Sequence, residues 1–391
     1  MRIAISGAGV AGPALAYWLH RAGHEPTLVE RAPHFRTGGY IIDFWGVGYR
    51  VAEKMGIDSA VRDAGYQVES LRSVGADGRV QAEVRTDAIR RAAGDKYTSL
   101  PRGDLAAAIY STIENSVETI FSDTIIAVHD HSDGVRLEFE HGPAREFDLL
   151  VGADGLHSTV RELTFGPENQ FERYLGAQVA ACVVDGYRPR DELIYVTHNL
   201  PGRQVARFSL RDNRTLFLFV FRSDRDREFG DSAASRARLR REFGDAGWEC
   251  AQILDALDDA DDLYVDVVSQ IRMDRWSRGR VALIGDAAAC VSLLAGEGTG
   301  LAMTEAYVLA GELTRAGDHR RAFDAYENRL RRFIEGKQDG AQKFLSFFAT
   351  RTPMGIRVRN LAMRAMNVPV LADVVLNRSL RDDLELPDYA M

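Results

Sequence analysis

The sequence has too few cysteines, set too far apart, to build a covalent or metal-bound scaffold. Cys182, Cys250 and Cys290 are its only three, and none stands at CxxC spacing from another. That excludes a disulfide framework and a thiolate zinc site, and suits a reducing compartment. The histidines form no HxxxH pair, and His129 and His131, one residue apart near a turn, read as a solvated loop. Long apolar runs are missing too: none approaches the roughly 18 residues of a transmembrane helix. The chain opens directly on a buried-type strand, with no basic n-region, apolar h-region or cleavage site. A cytoplasmic protein without stable membrane association is therefore expected. Positive charge is also lacking. A net charge of −8 argues against a nucleic-acid partner. Lysine is scarce beside arginine, which reads as codon bias more than chemistry. There is no internal repeat and no low-complexity segment.

What is present is a large soluble core. The 391 residues are 46% hydrophobic and 27% charged, enough for two or three structural units. The strongest signal lies in the first thirty residues. A short apolar strand, 1–6, runs into Gly7-Ala8-Gly9-Val10-Ala11-Gly12. Next come a helical run closed by Gly23 and a second strand ending in Glu30. In this GxGxxG arrangement Gly7 permits the turn, Gly9 lets a pyrophosphate approach the backbone, and Gly12 lets the helix pack on the strand. The helix N-terminus turns free N–H groups and a positive dipole end toward phosphate. Glu30 is placed to accept from a ribose diol. Arg31, Arg36 and the Gly38-Gly39 pair follow at once. Arg36 either neutralises a phosphate or lies on a solvated loop, and Gly39 offers bare backbone to a flat ring.

Further along, 46–64 reads as a helix and 67–86 as strands around an Asp77-Gly78 turn. Arg102 stands at the start of a helix reaching about residue 115. A buried strand near 147–152 ends in Gly152-Ala153-Asp154-Gly155, with Arg161 in the helix start beyond. Residues 173–275 alternate like an antiparallel sheet, and Phe217, Phe219 and Phe221 share one face of a strand. Another buried strand ends in Gly285-Asp286 and leads through Gly296, Glu297, Gly298 and Thr299 into a helix. The remainder, 319–391, reads as helical with one break at Thr352-Pro353.

Together the three fingerprints — Gly7/Gly9/Gly12 with Glu30, Asp154-Gly155 with Arg161, and Gly285-Asp286 running into Gly296 and Gly298 — resemble the class A flavoprotein monooxygenases, the para-hydroxybenzoate hydroxylase family. Residues 12–19, Gly247-Trp248-Glu249 and residues 306–313 look most like the tetracycline-inactivating and aromatic-polyketide members. The resemblance implies an α/β fold: a Rossmann-like FAD-binding domain with an inserted, mostly antiparallel β-sheet substrate domain and a C-terminal helical segment. The expected division is 1–72, 97–172 and 276–340 for FAD, 73–96 and 173–275 for substrate, and 341–391 for the C-terminal segment. It further implies one non-covalent FAD and NADPH or NADH as a transient reductant, for which no second GxGxxG exists. Oxygen would be activated at the flavin C4a carbon and passed to a small aromatic or polyketide-like molecule. By the same resemblance Asp286 meets the ribityl or pyrophosphate part, Arg36 and Arg102 contact FAD, and Asp154 belongs to a motif tied to FAD and NAD(P)H. The Gly298 helix start points its dipole at the flavin's pyrimidine edge. A monomer or homodimer is expected.

The chain departs from the family at one loop. Ala289 stands where histidine or tyrosine is usual, 291–293 lack the usual proline, and Glu297 replaces glutamine. A softer loop and an added negative charge beside the ring are expected, which keeps a non-oxygenating flavoenzyme as the alternative function and a non-catalytic binding protein as a third. Phe217, Phe219 and Phe221 are either substrate-cleft wall or plain core. The stretch 344–348 is expected to bridge the domains and close the substrate entrance, with FAD binding independent of everything after Gly340.

Overall fold

The computed structural model describes residues 1–35, 40–87, 96–224, 231–260, 262–368, 382 and 384–391. Arg36 and Gly39 lie outside them.

Near-continuous apolar runs at Arg2–Ser6, Leu149–Gly152 and Val281–Leu283 make buried strands, as expected for a parallel sheet covered on both faces. They form neighbours in a six-stranded sheet ordered Ser277–Arg278, Val281–Leu283, Leu149–Gly152, Arg2–Ser6, Glu25–Glu30, Glu118–Phe121. All pairings are parallel except that of the edge strand Ser277–Arg278. Each sequence fingerprint follows one of three adjacent strands, so segments far apart in sequence meet at the carboxyl edge of one sheet. That edge is where open α/β sheets bind ligands.

The second large sheet has seven strands, ordered Leu263–Ile271, Glu172–Asp185, Arg214–Arg222, Arg203–Ser209, Ile194–Leu200, Ser70–Val74, Val80–Arg85. Its pairings are antiparallel apart from Ile194–Leu200 with Ser70–Val74. Both faces are apolar. On one, Phe217, Phe219 and Phe221 are buried with Leu239, Phe243, Ile253 and Leu254, under the helices Ser232–Phe243 and Cys250–Ala256. On the other, Ala177, Val179, Leu218, Val220 and Val268 pack with Leu293, Leu294, Leu345 and Phe348.

The helix His319–Phe348 runs 30 residues without a break at Gly340. Its early turns, through Phe323, Tyr326, Leu330 and Ile334, join the nucleotide-side core. Its last turn reaches the seven-stranded sheet. Thr352 caps the next helix, Pro353–Ala365, by accepting from Gly355 N, and Pro353 occupies its first turn. The expectation of helix to residue 391 fails at the end: residues 384–391 form a strap without regular secondary structure. Along it, Leu384 O accepts from Arg50, Pro387 O from the Tyr307 hydroxyl, and Met391 O from Arg21, while Tyr389 donates to Glu312. The Tyr389 ring fills the space a side chain at Gly311 would take.

Candidate functional site

A cleft of about 640 Å³ opens along the carboxyl edge of the six-stranded sheet, within the range of small-molecule sites. Gly7, Gly9, Ala11, Glu30, Arg31, Arg102, Asp154, Asp286, Gly296, Gly298 and Thr299 all line it. Gly12 lies behind them, and a side chain there would overlap the Gly7 carbonyl oxygen. Gly7 itself holds φ +103, closed to most side chains. Gly9 differs: an added Cβ would meet only the Arg102 guanidinium, at 3.8 Å. Its bare backbone faces open space, as close approach of a pyrophosphate requires.

Glu30 ends the second strand, and its two oxygens accept from Ala8 N and Ala32 N, both at 2.8 Å. It therefore braces the glycine loop, and each oxygen retains a lone pair for a diol. Asp154 is committed to its own turn. It accepts from Ser158 Oγ at 2.5 Å and Val160 N at 3.0 Å; burial raises its pKa, and those bonds partly offset this. Asp286 opens a short helix, Asp286–Ala289, after Gly285 (φ +62). Buried Glu305 fixes that turn by accepting from Gly285 N at 2.7 Å and the Tyr326 hydroxyl at 2.9 Å. Burial pushes the Glu305 carboxyl up to about 8.

Arg102 sits deep in the cleft. Burial works against its charge, but Tyr40, Asp286 and Tyr264 around it hold its pKa above the ordinary value. Burial likewise raises Asp286, with Arg102 opposing. These opposite charges on facing walls suit a ligand that carries both phosphate and hydroxyl groups.

Ser292 and Leu293, from the loop expected beside the ring, also line it, whereas sequence reasoning passed over Tyr40, His157 and Tyr264. Tyr264 arrives from the seven-stranded sheet and donates to Asp266 at 2.8 Å. Asp266 also meets His157 Nε2 at 3.2 Å, and His157 Nδ1 meets Glu168 at 3.1 Å. His157 followed the Asp154-Gly155 motif in sequence, but only the fold supplies its partners. Ser292 has φ +148, a strained value for a residue with a side chain. The loop expected to be soft is fastened. Gln270 donates to Val291 O at 2.8 Å, and Gln338 donates to Cys290 O at 3.1 Å. Glu297, expected to add a negative charge, shares Lys337 with Asp382.

Phe217, Phe219 and Phe221 are not brought to the cleft. They point into the core beneath the two helices, and the neighbouring positions Leu218 and Val220 turn the other way, toward Leu293 and Leu294.

The family described as an FAD binding domain matches residues 1–339. An uncharacterized protein of Mycobacterium tuberculosis is 41% identical over 346 residues, covering 86% of this chain and 91% of its own. A flavin-dependent monooxygenase from Legionella longbeachae is 33% identical over 351 residues, covering 86% and 87%. Among solved structures, tetracycline destructase Tet(51) superposes with a TM-score of 0.84 at 31% identity, covering 99% of each chain. HpxO of Klebsiella pneumoniae, solved with FAD and uric acid, gives 0.81 at 21% identity and covers 98% of each chain, a likeness of fold. With its three motifs gathered on one cleft, the chain belongs to the FAD-binding family of class A flavoprotein monooxygenases.

Proposed function

We propose that this FAD-dependent monooxygenase oxygenates an aromatic or polyketide-like small molecule held between the cleft and the apolar face of the seven-stranded sheet. The reading rests chiefly on one observation: three separated motifs line a single cleft whose Gly9 backbone is open. The residues present fit FAD. Gly7, Gly9 and the start of the helix Ala11–Arg21 would hold the pyrophosphate, Glu30 the adenosine ribose, and Asp286 with Arg102 the ribityl and inner phosphate region. The loop from Gly296 to Thr299 would border the ring. When bound, FAD supplies electron transfer from NAD(P)H and activation of oxygen. One oxygen atom then enters the substrate and the other leaves as water.

The chain's own residues bind, orient and exclude water. Leu293 lines the cleft, and partly buried Leu218 and Phe348 packed beside it would extend an apolar wall for the substrate, while Tyr40 and Tyr264 add rings whose centroids lie 5.8 Å apart. Burial pushes the Tyr40 hydroxyl up to about 12, so it stays protonated and can donate to a substrate oxygen. Tetracycline destructase Tet(51), 31% identical and covering 99% of each chain, supports a polyketide-like substrate class. The fastened loop removes one ground for favouring a non-oxygenating enzyme.

The test is aerobic turnover with NADPH or NADH and a panel of tetracyclines and aromatic polyketides, followed by mass spectrometry. Accelerated NAD(P)H oxidation with label from ¹⁸O₂ in the product supports the reading. Turnover without label in any product, or flavin that accepts no hydride, overturns it.

A further inference from the structure

The loop entering the Gly298–Ala316 helix carries one charged residue among glycines. Glu297 lies between Gly296 and Gly298, both on the cleft wall. Its side chain is 18% exposed and pairs with Lys337 Nζ at 3.0 Å. Lys337 is one of four lysines in the chain, and it lies on the bridging helix His319–Phe348. It also pairs with Asp382 Oδ1 at 2.8 Å, and the Asp382 side chain is 7% exposed.

Asp382 precedes the C-terminal strap. Its second oxygen accepts from Val47 N at 2.6 Å, in the first turn of the helix Gly46–Met55, where a carboxylate also meets the positive dipole end. Gly46 holds φ +64, and a side chain there would overlap this carboxylate. The same helix touches the cleft loop: a Cβ on Gly48 would overlap Gly300. Trp45 and Asp43 complete the small pocket around the three charges. Asp43 is already bonded, accepting from the Tyr97 and Ser99 hydroxyls at 2.7 and 2.5 Å.

Two carboxylates and one ammonium leave a net charge of −1 in the triad. Groups this buried interact through a medium far less screening than water, and removing one partner leaves the others uncompensated.

We propose that Lys337 is a positioning residue for the flavin: it ties Asp382 of the C-terminal segment to Glu297 of the cleft loop, so that docking of the strap sets the affinity and reduction potential of bound FAD. The inference rests on the reading that the flavin ring borders the Gly296–Thr299 loop. Negative charge beside that ring disfavours its reduction, because the reduced ring is itself anionic.

The experiment compares FAD-loaded parent protein with Lys337→Met, Asp382→Asn, Glu297→Gln and the double variant Glu297→Gln/Lys337→Met. Flavin fluorescence gives the FAD dissociation constant, and equilibration with redox dyes gives the midpoint potential. The triad's charge predicts the order. Lys337→Met is lowest, the parent and the double variant sit together, and Asp382→Asn and Glu297→Gln are highest. Lys337→Met weakens FAD about tenfold, and the double variant recovers most of that loss, within the usual size of such couplings. By reciprocity, FAD slows amide exchange of 384–391 in the parent and not in Lys337→Met.

A flavin potential equal across the folded variants overturns the proposal. So does strap exchange indifferent to FAD, or a double variant no better than Lys337→Met. A parent protein that takes up no FAD overturns the flavoprotein reading, and this inference with it.

Discussion

Gly9 and Gly12 are three residues apart and limit the chain differently. A side chain at Gly12 overlaps the Gly7 carbonyl, so Gly12→Val should fail to fold. At Gly9 the added Cβ is free of protein atoms apart from Arg102. Gly9→Val is therefore expected to fold with a near-parent melting curve and purify with little flavin. A variant that kept stoichiometric FAD would remove the first motif from the site. Both geometries were legible because a GxGxxG turn is local, decided by residues within one turn. Arg359 was not legible. Nothing in its local sequence marks it for burial, but the structure buries it to 6% exposure, with its guanidinium 4.8 Å from the centre of the Phe347 ring. Nε and Nη1 have no hydrogen-bond partner, and burial lowers its pKa to about 10. An unpaired buried charge opposes folding, so Arg359→Met should stabilise the protein by about 1–4 kcal/mol, measured by denaturant unfolding.

Strand existence was legible at the element scale, but strand facing was not. A sheet apolar on both sides offers no polar alternation to orient it. The three phenylalanines mark a true strand, but they pack under helices that the local pattern did not tie to that face. The cleft loop shows the same limit. Its missing proline suggested softness, while the restraints come from Gln270 and Gln338, twenty or more residues away in sequence. Gln338 donates to the carbonyls of Ile271 and Cys290, and its own backbone carbonyl accepts from Gln270. Gln338→Leu would remove two buried hydrogen bonds, although Cys290 O keeps its bond from Ile271 N. It should cost about 1–3 kcal/mol of stability, read as a lower denaturation midpoint, and should weaken FAD. A second element contact is pH-sensitive. Asp266, then Glu168, raise His157 to about 9 from 6.5. A base raised in the folded state adds stability that is complete below pH 6.5 and lost as pH rises through 9. Its side chain is 57% exposed, so solvent screening keeps the effect small. Melting temperature should fall less steeply between pH 6.5 and 9 in His157→Gln than in the parent, and equal slopes would show that the bridge carries no weight.

Architecture at the level of the whole molecule was readable because three motifs in chain order demand three neighbouring parallel strands. The C-terminal segment was read less well. Its break at Pro353 is a local signal, but where a strap docks depends on grooves made by other elements. The expectation that FAD binding is independent of everything past Gly340 does not suit this packing. Truncation there would remove Leu345 and Ala349 from one core and the Tyr389 ring from its glycine notch. It would also leave Lys337 without Asp382. The truncated chain is expected to lose solubility or flavin, so it cannot isolate a role at the substrate entrance. A single substitution can. Phe348 is half-buried beside Leu293, Leu294 and Tyr264. Phe348→Ala removes apolar wall where the bridging helix meets the sheet, without touching a residue assigned to FAD. It should keep flavin content and raise the substrate KM by roughly tenfold, the scale expected for losing about 1.5 kcal/mol of apolar contact. More NAD(P)H should be oxidised per product formed, because a looser wall admits water. Unchanged KM and coupling in a folded, flavin-replete Phe348→Ala would make this end of the helix packing alone.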